Sequence, residues 1–205
     1  MGKDVVLWAG AGQIGMAIAR RIGTGKKIVV GDKKLENAES TAKIMNEAGF
    51  DVVPVQMDLS DKTSILDFIK AGQAYGEVAM LINAAGVSPS QASVETILKV
   101  DLYGTAVLLE EVGKVIKEGG VGITISSQSG HRMPQLSAAE DEQLACTPVE
   151  KLLSLDSRPG TADEVANVAE LLMGEKGAFI TGTDFLCDGG ATASYFYGPL
   201  KPAQS

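Results

Sequence analysis

Residues 5–15 read Val-Val-Leu-Trp-Ala-Gly-Ala-Gly-Gln-Ile-Gly. Five apolar residues in a row have the length and character of a buried strand. Three glycines follow, at Gly10, Gly12 and Gly15, in the order G-x-G-x-x-G. After them, Ile14, Ala17, Ile18 and Arg21 recur at helical spacing, which predicts a helix over 13–21. The glycine pattern alone is a weak signal. Flanked by a strand and a helix it acquires a mechanism: one glycine makes a tight turn, the next leaves the backbone open to a ligand, and the third lets helix and strand pack closely.

The rest of the chain repeats this rhythm. Apolar strands are predicted over 28–30, 51–57, 78–82, 121–125 and 184–187. Helices are predicted over 35–48, 62–71, 94–117 and 161–173. Gly104 and Gly113 weaken the 94–117 helix and predict a bend. Thr161-x-x-Glu164, preceded by Pro159 and Gly160, has the form of a capping box. Fully apolar strands alternating with amphipathic helices imply a parallel sheet covered on both faces. The fold expected is α/β: a Rossmann-type, doubly wound parallel sheet in three α/β/α layers. One domain spans 1–205. An insertion or lid occupies about 128–157, where Glu140, Asp141 and Glu142 and two prolines break the pattern, and 195–205 is irregular.

The glycine loop and helix N-terminus suit a dinucleotide's pyrophosphate. Backbone amides there are free, and the helix end carries partial positive charge. The cofactor-binding candidates are Gly10, Gly12, Gln13, Ile14 and Gly15. Asp32, at the end of the second strand and seventeen positions after Gly15, is placed to accept hydrogen bonds from the adenosine ribose. A carboxylate there repels a 2′-phosphate, which favours NAD over NADP. Lys33 and Lys34 follow at once and pull the other way.

Composition narrows the function classes. Of 205 residues, 45% are hydrophobic and 21% charged, an ordinary globular mix, and the net charge is −8. An acidic surface disfavours nucleic acid and anionic membrane as partners. No apolar stretch reaches membrane-spanning length. Cys146 and Cys187 read as reduced thiols of a cytoplasmic protein. With one histidine, His131, they do not make up a usual zinc site.

Further stretches, taken together, resemble the short-chain dehydrogenase/reductase family. Asp58-Leu59, after the third strand, is similar to its acid-plus-apolar pair that holds adenine. Asn83-Ala84-Ala85-Gly86, after the fourth, is similar to its Asn-Asn-Ala-Gly signature, with Ala84 in place of the second Asn. Ile125-Ser126-Ser127 resembles its serine strand, with Ser127 at the catalytic position. Residues 158–172, and 180–190 ending in Asp188-Gly189-Gly190, resemble its C-terminal segment. The resemblance covers 3–127 and 158–190. It implies an NAD(P)-dependent oxidoreductase that interconverts an alcohol and a ketone, and a homodimer or homotetramer.

Departures from the family pattern are informative. The glycine loop is one residue shorter than the family's usual form. Asp101 stands where the family usually carries an Asn that supports a relay water. The polar segment after the serine strand, with the short glycine loop, resembles hydroxysteroid dehydrogenases of this family. The family's Tyr-x-x-x-Lys pair is missing. Its spacing puts both side chains on one helix face, where the lysine lowers the tyrosine pKa for proton exchange with substrate. Of Tyr75, Tyr103, Tyr195 and Tyr197, only Tyr197 has a lysine four positions on, and Gly198 and Pro199 break any helix there. His131, Ser126 and Ser129 are weaker alternatives for the chemistry; Ser126 is expected on the opposite face of the strand from Ser127.

Between Ser157 and Arg158 the pattern jumps from the polar insertion to the C-terminal segment. The helix that should carry Tyr and Lys, and a sixth strand, are absent. Without them the last strand lacks its inner neighbour. The expectation is that further residues around the active site belong at this seam and are not among the 205. The rival is a true internal deletion, giving a dinucleotide-binding regulator or scaffold without catalysis. A third reading is another enzyme on this fold, such as a sugar-nucleotide epimerase, whose substrate domain would be larger than anything visible here.

Overall fold

The computed structural model describes residues 2–88 and 91–127 and, beyond them, Cys146, Pro148 and Val149. The predicted helix over 161–173, the strand over 184–187 and the seam at 157/158 lie outside the described residues.

Five strands form one parallel sheet: β1 (Val5–Ala9), β2 (Lys27–Asp32), β3 (Asp51–Gln56), β4 (Val78–Asn83) and β5 (Val121–Thr124), in the order β3-β2-β1-β4-β5. In register, Leu7 faces Val29 on one side and Leu81 on the other. The connecting helices are α1 (Gln13–Ile22), α2 (Leu35–Glu47), α3 (Lys62–Gln73), and then α4 (Val94–Ile97) and α5 (Thr105–Gly113) joined by a π-helical turn, Leu98–Gly104. No helix among the described residues is long and apolar enough to cross a membrane.

Strand periodicity sorts the core into two layers. On one face Val6 and Trp8 of β1 pack with Met16, Ile18 and Ile22 of α1 and with Ala38, Ala42 and Met45 of α2. On the other, Val5, Leu7 and Ala9 pack with Ile65, Phe68 and Ile69 of α3 and with Val107, Leu108 and Val112 of α5. The sheet is therefore covered on both sides, as its apolar strands require. Chain order runs outward from β1 through β2 to β3, then crosses back to β4 and β5. The reversal opens a crevice at the C-terminal ends of β1 and β4, the usual ligand position in such sheets.

Trp8 is a bulky residue for a strand beside a nucleotide-type turn, and the packing explains it. Its side chain is fully buried and its Nε1–H donates to the Gly10 carbonyl at 2.6 Å. A Cβ on Gly15 would run into the indole ring. The indole thus fills the space that the glycine leaves beneath α1. Within the 94–117 stretch a π-helical turn joins α4 to α5 and ends at Gly104, whose missing Cβ makes room for the Leu59 carbonyl.

Gly15→Ala overpacks this contact and should cost about 1–3 kcal/mol. That corresponds to a fall in melting temperature of roughly 2–4 °C per kcal/mol for a domain of this size. In a Trp8→Phe background, thermal melts should show the same change costing about half as much or less, because the indole it collides with is gone.

Candidate active site

The site is assembled from the loops at the C-terminal ends of β1, β2, β3, β4 and β5. In the first loop Gly10 has φ +86°, a left-handed conformation that suits glycine. A Cβ there would lie 2.5 Å from the Ala85 amide nitrogen, so the loops after β1 and β4 are packed back to back. Gly12 opens α1 with no side chain capping the helix, and the first turn holds no acid. A Cβ built on Gly12 would meet nothing within 4 Å. The amides of Gln13 and Ile14 follow in this uncapped turn, which has the form and sign of an anion cradle.

Asp32 ends β2 beside this loop. Its Oδ2 accepts from the Ala11 amide at 3.1 Å; its Oδ1 accepts from the Lys34 amide at 3.0 Å and from Asn37 Nδ2 at 3.1 Å. A carboxylate offers about four acceptor sites, so roughly one is left for a ligand hydroxyl. Lys33, expected to compete for a 2′-phosphate, instead pairs with Asp58 Oδ2 at 2.8 Å. Ser60 donates its amide and hydroxyl to Asp58 Oδ1, at 2.9 and 2.7 Å. Burial pushes the Asp58 carboxyl up, but the hydrogen bonds from Lys33 and Ser60 outweigh it and hold it below the ordinary value. The Leu59 side chain is buried in the core with Ile65 and Phe68.

Asn83, at the end of β4, is buried, and its Nδ2 donates to Thr105 Oγ1 at 3.3 Å. Its backbone carbonyl accepts from the Ile125 amide at 2.8 Å, which carries the β5 track past the strand's end toward Ser126 and Ser127. Ser126 is exposed and Ser127 half-buried, in keeping with opposite faces. Ala84 and Ala85 are half-buried behind Gly10, and Gly86 is exposed.

Asp101 lies on the π-helical turn, a feature often found at functional sites. Its Oδ1 accepts from the Val87 amide at 2.9 Å, and the bare Cα of Gly86 leaves room for that approach. Its Oδ2 and the Asn83 Oδ1 are buried without partners among the described residues. Burial raises the Asp101 carboxyl from its ordinary value, against the smaller lowering effect of the Val87 amide.

The structure thus gathers the predicted residues of the β1, β2, β3, β4 and β5 loops at one edge of the sheet. Tyr75 sits at the opposite edge, just before β4, with Lys27 Nζ 4.6 Å from its ring centre. Ser129, His131, Cys187, Tyr195 and Tyr197 lie outside the described residues. Sequence reasoning missed Asn37, Thr41 and Thr105. Thr41 carried a readable signal: a hydroxyl in the apolar stripe Ala38, Thr41, Ala42, Met45, all buried on α2. Its Oγ1–H donates to the Ala11 carbonyl at 3.1 Å.

The family model described as short chain dehydrogenase matches residues 3–139. The chain is 29% identical to the short-chain dehydrogenase/reductase bsc3 of Alternaria brassicicola, covering 94% of this chain and 97% of that protein. That alignment runs over 266 positions, more than the 205 residues of this chain. The relative therefore carries internal residues with no counterpart here. Two solved structures share the fold. One is a double mutant of a short-chain dehydrogenase/reductase from Serratia marcescens, with a TM-score of 0.70, 20% identity and coverage of 92% of this chain and 98% of that one. The other is a blue fluorescent protein from a metagenomic library in complex with NADPH, with a TM-score of 0.65, 18% identity and coverage of 87% and 94%.

A buried carboxyl whose folded pKa lies above its unfolded value binds more protons folded than unfolded. It therefore lowers stability as pH rises through the unfolded value, near 3.8, and on past the folded one. Asp101→Asn removes that titration. Thermal melts should show Asp101→Asn more stable than the parent at pH 7, with the gap closing as pH falls toward 4.

Proposed function

Because this chain belongs to the short-chain dehydrogenase family and is an NAD(P)-dependent oxidoreductase, we propose that it interconverts a secondary alcohol and a ketone, with NAD in preference to NADP. The observation that carries this is the uncapped, side-chain-free start of α1 at Gly12, with the Asp32 carboxylate beside it. The residues fit a dinucleotide. The amides of Gly12, Gln13 and Ile14 face the pyrophosphate across Gly10 and Gly15. Asp32 accepts a ribose hydroxyl and repels a 2′-phosphate. Asp58, with Leu59 next to it, borders the adenine, and Asn83, Ala84, Ala85 and Gly86 border the nicotinamide half. A bound nicotinamide supplies the hydride chemistry.

The chain's own part is to orient the substrate and hold protons. Ser127 donates to the substrate oxygen at the end of the β5 track. Asp101 carries the relay water, with its unpartnered Oδ2 as the contact. The substrate class is a hydroxysteroid-like alcohol. The tyrosine and lysine of the pair come from chain at the seam between Ser157 and Arg158, outside the 205 residues. The 266-position alignment with bsc3 supports such an absent segment. Assembly is as a homodimer or homotetramer in the cytoplasm. The scaffold reading, with a true deletion and no turnover, has no observation in its favour beyond the missing pair.

Intact mass of the protein isolated from its source tests the seam. The 205 residues account for 21.3 kDa, and the expected mass is several kilodaltons higher. A match to 21.3 kDa would remove the dehydrogenase mechanism. The full-length protein should oxidise hydroxysteroid-type secondary alcohols with NAD, and Ser127→Ala should lower kcat by about 10²-fold.

Coenzyme choice has its own test. Asp32→Asn should lower the ratio of kcat/KM with NAD to that with NADP by about tenfold, the equivalent of 1.4 kcal/mol. An unchanged ratio would take the preference away from Asp32.

A further inference from the structure

The geometry points to Thr41 of α2 as a positioning residue for the pyrophosphate, acting through the peptide between Ala11 and Gly12. Ala11 is gripped at both of its backbone polar groups by side chains far away in sequence. Asp32 Oδ2 takes its N–H at 3.1 Å, and Thr41 Oγ1–H donates to its carbonyl at 3.1 Å. Asn37, one turn before Thr41 on the same helix, donates to the other Asp32 oxygen. The circuit closes from the loop through β2 and α2 back to the loop.

Thr41 is only 5% exposed and stands in an apolar stripe. A buried hydroxyl there costs stability unless it is hydrogen-bonded, and the Ala11 carbonyl is the partner it has. A trans peptide is planar, with C=O and N–H pointing in opposite directions. Holding the Ala11 carbonyl toward α2 therefore turns the Gly12 N–H away from α2. That N–H takes no acceptor among the described residues. Gly12 itself is extended, with φ −81° and ψ 174°, and a Cβ on it would meet open space. Without the Thr41 hydroxyl, the peptide is free to rotate and offer a phosphate the carbonyl oxygen instead of the amide. The inference rests on the dinucleotide reading of this loop and adds the residue that sets the loop's polarity.

The test is calorimetric titration of the full chain with three probes: NADH, ADP and adenosine. Thr41→Val keeps the volume and removes the hydroxyl; Thr41→Ser keeps the hydroxyl. Thr41→Val should weaken NADH and ADP by about fivefold, the worth of one hydrogen bond, and adenosine by less than twofold. Thr41→Ser should restore the parent values. Should Thr41→Val fail to fold in thermal melts, Thr41→Cys, with its weak S–H donor, is read the same way. Equal affinity of parent and variant for ADP would overturn the role of Thr41 alone. So would equal losses for ADP and adenosine, which mark a general packing defect. A parent protein that binds neither NADH nor ADP would overturn the dinucleotide reading itself, and this inference with it.

Discussion

The backbone of Ala84 and Ala85 lies so close behind Gly10 that no side chain fits between them. This contact is the constraint on which the site depends. β1 is the central strand, paired on both sides, so its chain can leave only at its end, over the top of β4. The Ala84 amide donates to the Ala9 carbonyl there, and the Gly10 amide donates to the Gly31 carbonyl of β2. One turn is thereby tied to both neighbouring strands. Its left-handed glycine sends the chain back into α1 with the first amides uncapped, and Trp8 beneath Gly15 fixes how closely that helix lies. The cradle is a product of sheet pairing, not of loop flexibility.

Carboxylates at the edges of the sheet are held in two ways. At the edge where the strands begin, lysines meet acids directly: Lys3 and Lys27 on Asp51, and Lys117 on Asp4. At the edge where the strands end, Lys33 pairs with Asp58 in the same way, but Asp32 is held by an amide from the glycine loop, an amide from the chain after it and an asparagine, with no cation among the described residues. Neutral donors fix a carboxylate's position while leaving its charge in place. Such a charge can still discriminate between a ribose hydroxyl and a phosphate. Asp101 is the other case, a carboxyl with little to compensate its burial, and its proton affinity rises accordingly.

The layered α/β architecture was legible from the alternation of apolar strands and amphipathic helices, because that alternation is local. The strand ends moved by a residue or two: β2 runs over Lys27–Asp32 where the apolar residues alone marked 28–30, since half-buried ends still pair in a ladder. The glycine loop and Asp32 were legible because their spacing follows from one βαβ unit. What was not legible depends on contacts between distant segments. Trp8 made no sense until Gly15 was seen above it. Gly104 marked an irregularity in 94–117, but the π-helical turn there and the Leu59 carbonyl beside that glycine had no local signal. Thr41, polar in an apolar stripe, was passed over, and its partner, thirty positions away, belongs to the tertiary fold.

The π-helical turn has a consequence for how the gene can vary. Hydrogen bonds from i to i+5 take up more chain per turn than those of an α-helix. The segment between β4 and β5 is thus longer than a straight helix over the same distance would need. Loss of one residue within Leu98–Gly104 would let the turn close to 3.6 residues per turn. The helices on either side would keep their faces, so Thr105 would stay on Asn83, while Asp101, inside the turn, would lose its place against the Val87 amide. A point substitution tests one side chain, but a single-codon deletion here would reset the turn and leave its flanks in place. Chain length in this turn is inherited information in its own right, alongside the letters that fill it.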